Sequence, residues 1–176
     1  MKEKLIRKTK MYHGSVVDLF CDEVELPNGA VATREYLDHP GAASVLPFVD
    51  DKNIVLIKQY RYPIDQITYE IPAGRIDKGE VPIECASREL VEETGYRAKE
   101  LEMVLSFYPA PAFSTEIIYI FSAFGLEAGR QNQEDDEFLS SEIINFKDAV
   151  KMVKVGKIKD SKTIIALMYF ANKGLG

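Results

Sequence analysis

An α+β layered domain is the fold class that the sequence predicts. Three observations lead to it: strand-like runs fill most of the chain, one amphipathic helix signal interrupts them near the middle, and two more helix signals close the chain. The first forty residues read as strands. "VVDLFCDEVEL" nearly alternates apolar and polar residues, and "LPNGAVATREYL" follows with Asn28-Gly29 at its tip, a strong hairpin signal. His39-Pro40-Gly41 breaks the pattern, so a boundary is placed there: a β-strand region at 1–40 and the main domain at 41–176. A ribbon of two or three strands is marginal alone and must pack on something, either the rest of the chain or a second copy.

The main domain opens with "ASVLPFV" and "NIVLIKQY", expected to form a second hairpin around Asp50-Asp51-Lys52. "TYEI" is short and stops at Pro72. Residues 81–94 read as a helix: Pro82 suits a first turn, Ile83, Ala86, Leu90 and Val91 form an apolar stripe, and Gly95 ends it. Strands follow at "LEMVLSF" and "EIIYIFSAF". The acidic loop "RQNQEDDEF" leads to "EIINF", and helices are predicted over 147–155 and 161–172.

Composition bounds the function. The 176 residues suit one domain with at most a small appendage, and 46% hydrophobic content supports a core. The net charge of -6 argues against nucleic acid held by bulk electrostatics, but leaves room for an anionic substrate beside a bound cation. No apolar run reaches the roughly 20 residues of a membrane span, and the basic "MKEKLIRKTK" has no apolar signal region behind it. Cys21 and Cys85 lack metal-type spacing and read as reduced thiols, which gives a cytoplasmic expectation.

The chemistry concentrates on the middle helix. Each helical residue advances about 100°, so Glu89 and Glu93 lie about 40° apart, with Glu92 about 60° to the other side of Glu89. Three carboxylates in one sector have two readings. One is a solvated face relieved by Arg88, which costs only about 0.2–0.5 kcal/mol per like-charge pair. The other is a site for Mg²⁺, a hard cation that takes about six oxygen ligands from carboxylates, waters and substrate phosphates.

The wider pattern is Gly74, five residues, Glu80, seven residues, Arg88-Glu89-Leu90, one residue, Glu92-Glu93, one residue, Gly95-Tyr96. It resembles the Nudix box at every fixed position, with Tyr96 where an aliphatic residue is usual. "HPGAASVL", "LIKQYRYP", "YEIPAGRIDKGE" and "FYPAPAFSTEI" are similar to segments of the ADP-ribose pyrophosphatase branch of that family. The resemblance implies an α/β/α sandwich on a mixed sheet, preceded by an antiparallel ribbon that swaps between the subunits of a homodimer. It also implies Mg²⁺-dependent, or Mn²⁺-dependent, hydrolysis of ADP-ribose to AMP and ribose 5-phosphate.

By the same resemblance Glu89 and Glu93 are the principal metal ligands, with Glu92 beside them and the Ala73 carbonyl completing the inner site before Gly74. Glu80, Arg88 and Gly95 hold the box together. Glu134 is the first choice for general base and Asp136 for a further metal ligand, although a slip of one register brings in Asp135 or Glu137. Arg61 is the anion clamp, because a guanidinium pairs well with phosphate. Pro111 marks the branch, and Glu116 resembles a residue that binds the terminal ribose. The family usually has Pro-Gly where this chain has Pro111-Ala112. That departure keeps open another nucleoside diphosphate sugar such as GDP-mannose, or a dinucleotide. A non-catalytic ADP-ribose sensor is the alternative of another class. His13 and His39 read as structural, and Phe20, Tyr36 and Tyr62 lie in segments where an adenine could stack.

Overall fold

Alternating side chains and an Asn-Gly turn build the first unit of the structure, a computed structural model that describes residues 1–131 and 138–174. This unit comprises Met1–Gly41 and Tyr108–Ile117. Its strands are β1 (Lys4–Arg7), β2 (Lys10–His13), β3 (Asp18–Glu25) and β4 (Val31–Asp38). Strand β3 pairs antiparallel with β4 along its whole length, from Asp18↔Asp38 to Glu25↔Val31. Its other edge is shared: β1 covers Glu23–Glu25 and β2 covers Asp18–Phe20. Gly29 takes φ +82° at the β3–β4 turn, which a glycine adopts without strain, and Asn28 Oδ1 accepts from the Ala30 amide.

One face of β3 buries Phe20, Asp22 and Val24. Phe20 stacks on Tyr36 with ring centroids 5.4 Å apart, and Lys8 Nζ lies 4.2 Å from the Phe20 centroid. The Asp22 carboxylate is satisfied by the Thr9 amide and the Tyr36 hydroxyl. Leu5, Ile6, Met11, Tyr12 and Val31 remain exposed in the single chain. Segment 108–117 joins this unit through Leu37, whose amide donates to the Phe113 carbonyl and whose carbonyl accepts from Thr115.

The second unit holds Ala42–Phe107 and Ile118–Gly176. Its elements begin with β5 (Ala42–Pro47), β6 (Asn53–Arg61), a single 3-10 turn (Tyr62–Ile64), β7 (Gln66–Glu70), β8 (Ala73–Arg75) and α1 (Pro82–Thr94). They continue with β9 (Tyr96–Arg97), β10 (Glu100–Phe107), β11 (Ile118–Phe124), β12 (Glu127–Ala128), β13 (Leu139–Asn145), α2 (Phe146–Lys154) and α3 (Ser161–Asn172). One sheet runs β10-β11-β5-β8 and is mixed, because β11 and β5 are parallel. A second runs β13-β6-β7 and is antiparallel.

The side chains of β5 divide between two cores, as the pleat of a strand requires. Ala43 and Val45 pack with Cys85, Ala86 and Leu90 of α1, while Leu46 packs with Ala166, Leu167 and Phe170 of α3. Helices therefore cover both faces of the mixed sheet, the expected α/β/α layering. Each fully buried aliphatic side chain contributes about 1.5–3 kcal/mol.

Two local expectations are corrected. β5 and β6 do not form a hairpin ladder: one bridge, Phe48↔Ile54, joins them before they part into different sheets. β5 is instead occupied by parallel pairing with β11, a long-range contact that local turn chemistry does not announce. On α1, Ile83 is 44% exposed, and the packed stripe is Cys85, Ala86 and Leu90.

Candidate active site

α1 begins where Pro82 fills a position that needs no amide donor, and Val81 before it is extended. It ends at Gly95, whose φ of +76° is the left-handed conformation of a helix stop and whose amide donates to the Val91 carbonyl. These limits carry Glu89, Glu92 and Glu93 across the edge of the apolar stripe. Glu89 is 7% exposed and Glu93 1%. The solvated-face reading is thereby excluded for these two residues. Burying a carboxylate costs several kcal/mol unless it is matched.

Much of the match is Arg88. Its Nε and Nη2 form a two-point pair with Glu80 at 3.0 and 3.1 Å. Its Nη1 donates to Glu89 at 2.6 Å and to Glu92 at 2.9 Å, and Nη2 also reaches the Arg75 carbonyl at 3.2 Å. The hydrogen bond to Glu80, and then the charge of Glu89, hold the guanidinium protonated far above its usual range. In return Arg88 holds the Glu80 carboxyl below the usual carboxylate range. Glu84, the other charge within one turn of Arg88, faces the helix start, where its Oε2 accepts from the Val81 amide.

β8 brings the backbone to these carboxylates. The Ala73 amide donates to Glu93 Oε2 at 2.9 Å. A Cβ placed on Gly74 would stand 1.7 Å from Glu89 Oε1, so only glycine lets the strand pass there. Gly74→Ala is therefore expected to push Glu89 aside and to lower turnover by up to about 10²-fold, which a misplacement of about 1 Å can cost. Steady-state kinetics on folded protein check it. Beneath this contact, burial pushes the Cys85 thiol up to about 12, so it stays a neutral core group.

The donor set suits a hard divalent cation. Mg²⁺ usually keeps several waters and is bound by one or two carboxylates plus substrate phosphates. Two buried carboxylates beside a backbone strand meet that need. Among the described residues no group of three His, Cys, Asp or Glu side chains could hold a metal ion by itself. Glu134 and Asp136, with Asp135 and Glu137, lie outside the described residues. The segment leading to them is anchored at the helix end: the Gly129 amide donates to the Gly95 carbonyl at 2.8 Å, and Gln131 Nε2 to the Glu93 carbonyl at 2.5 Å. A side chain at Gly95 would meet the Gln131 amide at 2.9 Å.

Arg61 lies at the end of β6, paired with Glu70 of β7 through Nε at 2.9 Å and Nη2 at 2.8 Å. Burial alone would raise the Glu70 carboxyl, but hydrogen bonds and charge from Arg61 and Lys162 outweigh it and hold Glu70 well below the usual range. A carboxyl depressed in the folded state stabilises the fold above its unfolded value, near 4.3, and that contribution is lost as pH falls through the folded value. The stability difference between native protein and Glu70→Gln is thus expected to be largest above pH of about 5 and to shrink toward pH of about 3. Urea unfolding across that range measures it. Pro111 and Glu116 belong to the first unit. Pro111 lies in a turn whose Ala110 carbonyl accepts from Phe113 and Ser114, and Glu116 Oε1 stands 3.7 Å from His39 Nδ1. Phe20 and Tyr36 use their ring faces on each other.

Sequence reasoning did not find Glu70, Lys162, Asp160 or Gln131. Glu70 sits inside a quoted segment, "YEIPAG", but no local signal shows that its carboxylate is buried and paired.

An acidic loop–helix under a mixed sheet, with helices on both faces, is the arrangement of a Nudix domain. The NUDIX domain model matches residues 38–167, and the chain belongs to the Nudix hydrolase family. Nudix hydrolases generally use a divalent metal. The chain is 41% identical over 175 residues to an ADP-ribose pyrophosphatase of Bacillus subtilis, covering 98% of this chain and 95% of that one. It is also 41% identical over 170 residues to a methanol dehydrogenase activator of Bacillus methanolicus, covering 96% and 92%. A GDP-mannose pyrophosphatase of Cronobacter sakazakii is 35% identical over 153 residues, covering 81% and 79%. The crystal structure of an ADP compounds hydrolase superposes with a TM-score of 0.87 at 22% identity, covering 100% of this chain and 97% of that one. This last likeness concerns the fold.

Proposed function

We propose that the protein hydrolyses ADP-ribose to AMP and ribose 5-phosphate, with Mg²⁺, or Mn²⁺ in its place, held by Glu89 and Glu93. The observation that carries this reading is the pair of buried carboxylates on α1, Glu89 matched by Arg88 and Glu93 held by the Ala73 amide, both against β8. The choice of ADP-ribose is supported by the near full-length identity to the Bacillus subtilis enzyme of that name.

Glu89, Glu93, the carbonyl of Ala73 and Asp136 would hold the metal, with Glu92 beside them. When bound, the metal neutralises the diphosphate and favours ionisation of an attacking water. The chain's own residues do the rest. Arg88 keeps Glu89 and Glu92 oriented, in the manner of groups that back a metal ligand. Glu134 takes the proton of the attacking water, the general-base role that the family resemblance gives it. Arg61 clamps the diphosphate, Glu116 holds the terminal ribose, and Pro111 shapes that loop. The exposed Leu5, Ile6, Met11 and Tyr12 support a homodimer through the N-terminal strands. The protein acts in the cytoplasm, on a small anionic substrate. Among the described residues no helix is long and apolar enough to cross a membrane.

GDP-mannose is the second reading, favoured by Ala112 in place of the usual glycine and by the relative named for that substrate. Product analysis separates the two. The protein is incubated with ADP-ribose, GDP-mannose, NADH and diadenosine polyphosphates, with Mg²⁺ and with chelator. AMP from ADP-ribose, released only with metal, is the expected result. Metal-dependent cleavage of another compound alone keeps the site and discards the substrate. Thermal stabilisation by ADP-ribose without any cleavage would replace the enzyme with a sensor.

A further inference from the structure

We propose that Lys162, on α3, is a positioning residue for substrate binding: by sharing Glu70 with Arg61, it keeps Arg61 oriented to hold a diphosphate. The inference rests on the reading of Arg61 as the diphosphate clamp.

Lys162 is 8% exposed, and a lysine is rarely buried without a purpose in the fold or the site. Anchoring α3 does not need its charge. Asp160 already caps the helix by accepting from the Thr163 amide at 3.0 Å. The Thr163 hydroxyl accepts from the Ile71 amide at 2.8 Å, which ties α3 to the chain just after Glu70. Ala166, Leu167 and Phe170 supply the apolar contact. A buried ion pair in place of apolar packing adds little net stability.

The charge acts on Glu70 instead. This carboxylate, 2% exposed, accepts from Arg61 Nε and Nη2, from the Thr68 hydroxyl at 2.5 Å and from Lys162 Nζ. Lys162 Nζ also donates to Asp160 at 3.0 Å. Glu70 therefore fixes one edge of the Arg61 guanidinium and faces a second cation at the same time. Nη1 of Arg61 has no partner among the described residues, and the side chain is 43% exposed. The charges of Glu93 and Asp160 also act on Arg61. Without Lys162, Glu70 would lose one of the two cations that hold its carboxylate, and the edge of the Arg61 guanidinium that it fixes would be free to turn.

The test is a cycle of four proteins: native, Arg61→Ala, Lys162→Met and the double variant. Steady-state kinetics use Mg²⁺ and ADP-ribose, or whichever nucleoside diphosphate sugar the native protein cleaves. Lys162→Met is expected to raise KM about tenfold with kcat within about twofold, and to change KM by less than about twofold when Arg61 is already alanine. Equal KM effects in both backgrounds would overturn the inference. So would a lowered melting temperature with KM and kcat unchanged, since that is a purely structural role. If Arg61→Ala leaves KM unchanged while the native protein turns over, the clamp reading fails, and the inference with it. Should Lys162→Met not fold, Glu70→Gln replaces it. Its KM effect must likewise vanish without Arg61, and persistence of that effect overturns the linkage.

Discussion

Replacing Glu93 with glutamine is expected to lower kcat/KM by about 10³-fold, on the order of 4 kcal/mol of transition-state stabilisation, with the fold intact. Glutamine has nearly the size of glutamate and keeps one oxygen that can accept from the Ala73 amide, now held at 2.9 Å. The packing around a residue 1% exposed is therefore preserved. What is lost is one negative charge from the oxygen donors proposed to hold a hard cation. The loss is expected in kcat rather than KM, because the proposed diphosphate clamp, Arg61, is left in place. Raising Mg²⁺ well above its native requirement should recover part of the rate, as a weakened site fills. Full activity in Glu93→Gln, with unchanged Mg²⁺ dependence, would remove Glu93 from the metal site.

Much of this site was legible in sequence because the box is contiguous. Its spacing of Gly74, Glu80, Arg88, Glu89, Glu92, Glu93 and Gly95 encodes one loop and one helix, and local geometry then brings the groups together. The Arg88–Glu92 contact is a one-turn neighbour of the kind that any helix makes. Arg88–Glu80 is not: likeness to other boxes gave both residues a structural role, but not this contact. The helix ends were legible for the same local reason, at Pro82 and Gly95. The degree of burial was not. Glu89 and Glu93 look polar in any pattern count, yet β8 closes over them, and a three-residue strand with glycine at its centre gives no periodic signal. The parting of β5 from β6 was hidden too, because the partner of β5 lies more than seventy residues away. Glu70, Arg61 and Lys162 converge from β7, β6 and α3, and no spacing rule joins them. Ile83 marks the limit of counting apolar residues: its periodicity fits the stripe, but the first turn of α1 leaves it 44% exposed.

Arg88→Met is expected to destabilise the protein by about 3 kcal/mol, at the lower end of the cost of breaking a buried pair. That is a fall of roughly 6–12 °C in Tm for a chain of this size. Methionine keeps the aliphatic volume but leaves three carboxylates, Glu80, Glu89 and Glu92, without the cation that now lies within 3.1 Å of each. The partly exposed edge of the network gives Glu80 and Glu92 some recourse to water, which holds the cost below the full penalty for a buried charge. Glu89 has less recourse, because its side chain is 9% exposed. A divalent cation bound at Glu89 and Glu93 would relieve the repulsion that Arg88 no longer offsets. Mg²⁺ should therefore raise the Tm of Arg88→Met more than that of the native protein, because ligands that bind only the folded state stabilise in proportion to what they relieve there. Scanning calorimetry with and without Mg²⁺ measures both shifts. Equal shifts would mean that the cation does not reach the carboxylates Arg88 neutralises, and the metal site would then have to lie elsewhere on α1. A larger shift in the variant would place the guanidinium and the metal on the same carboxylates, one holding them before the other arrives.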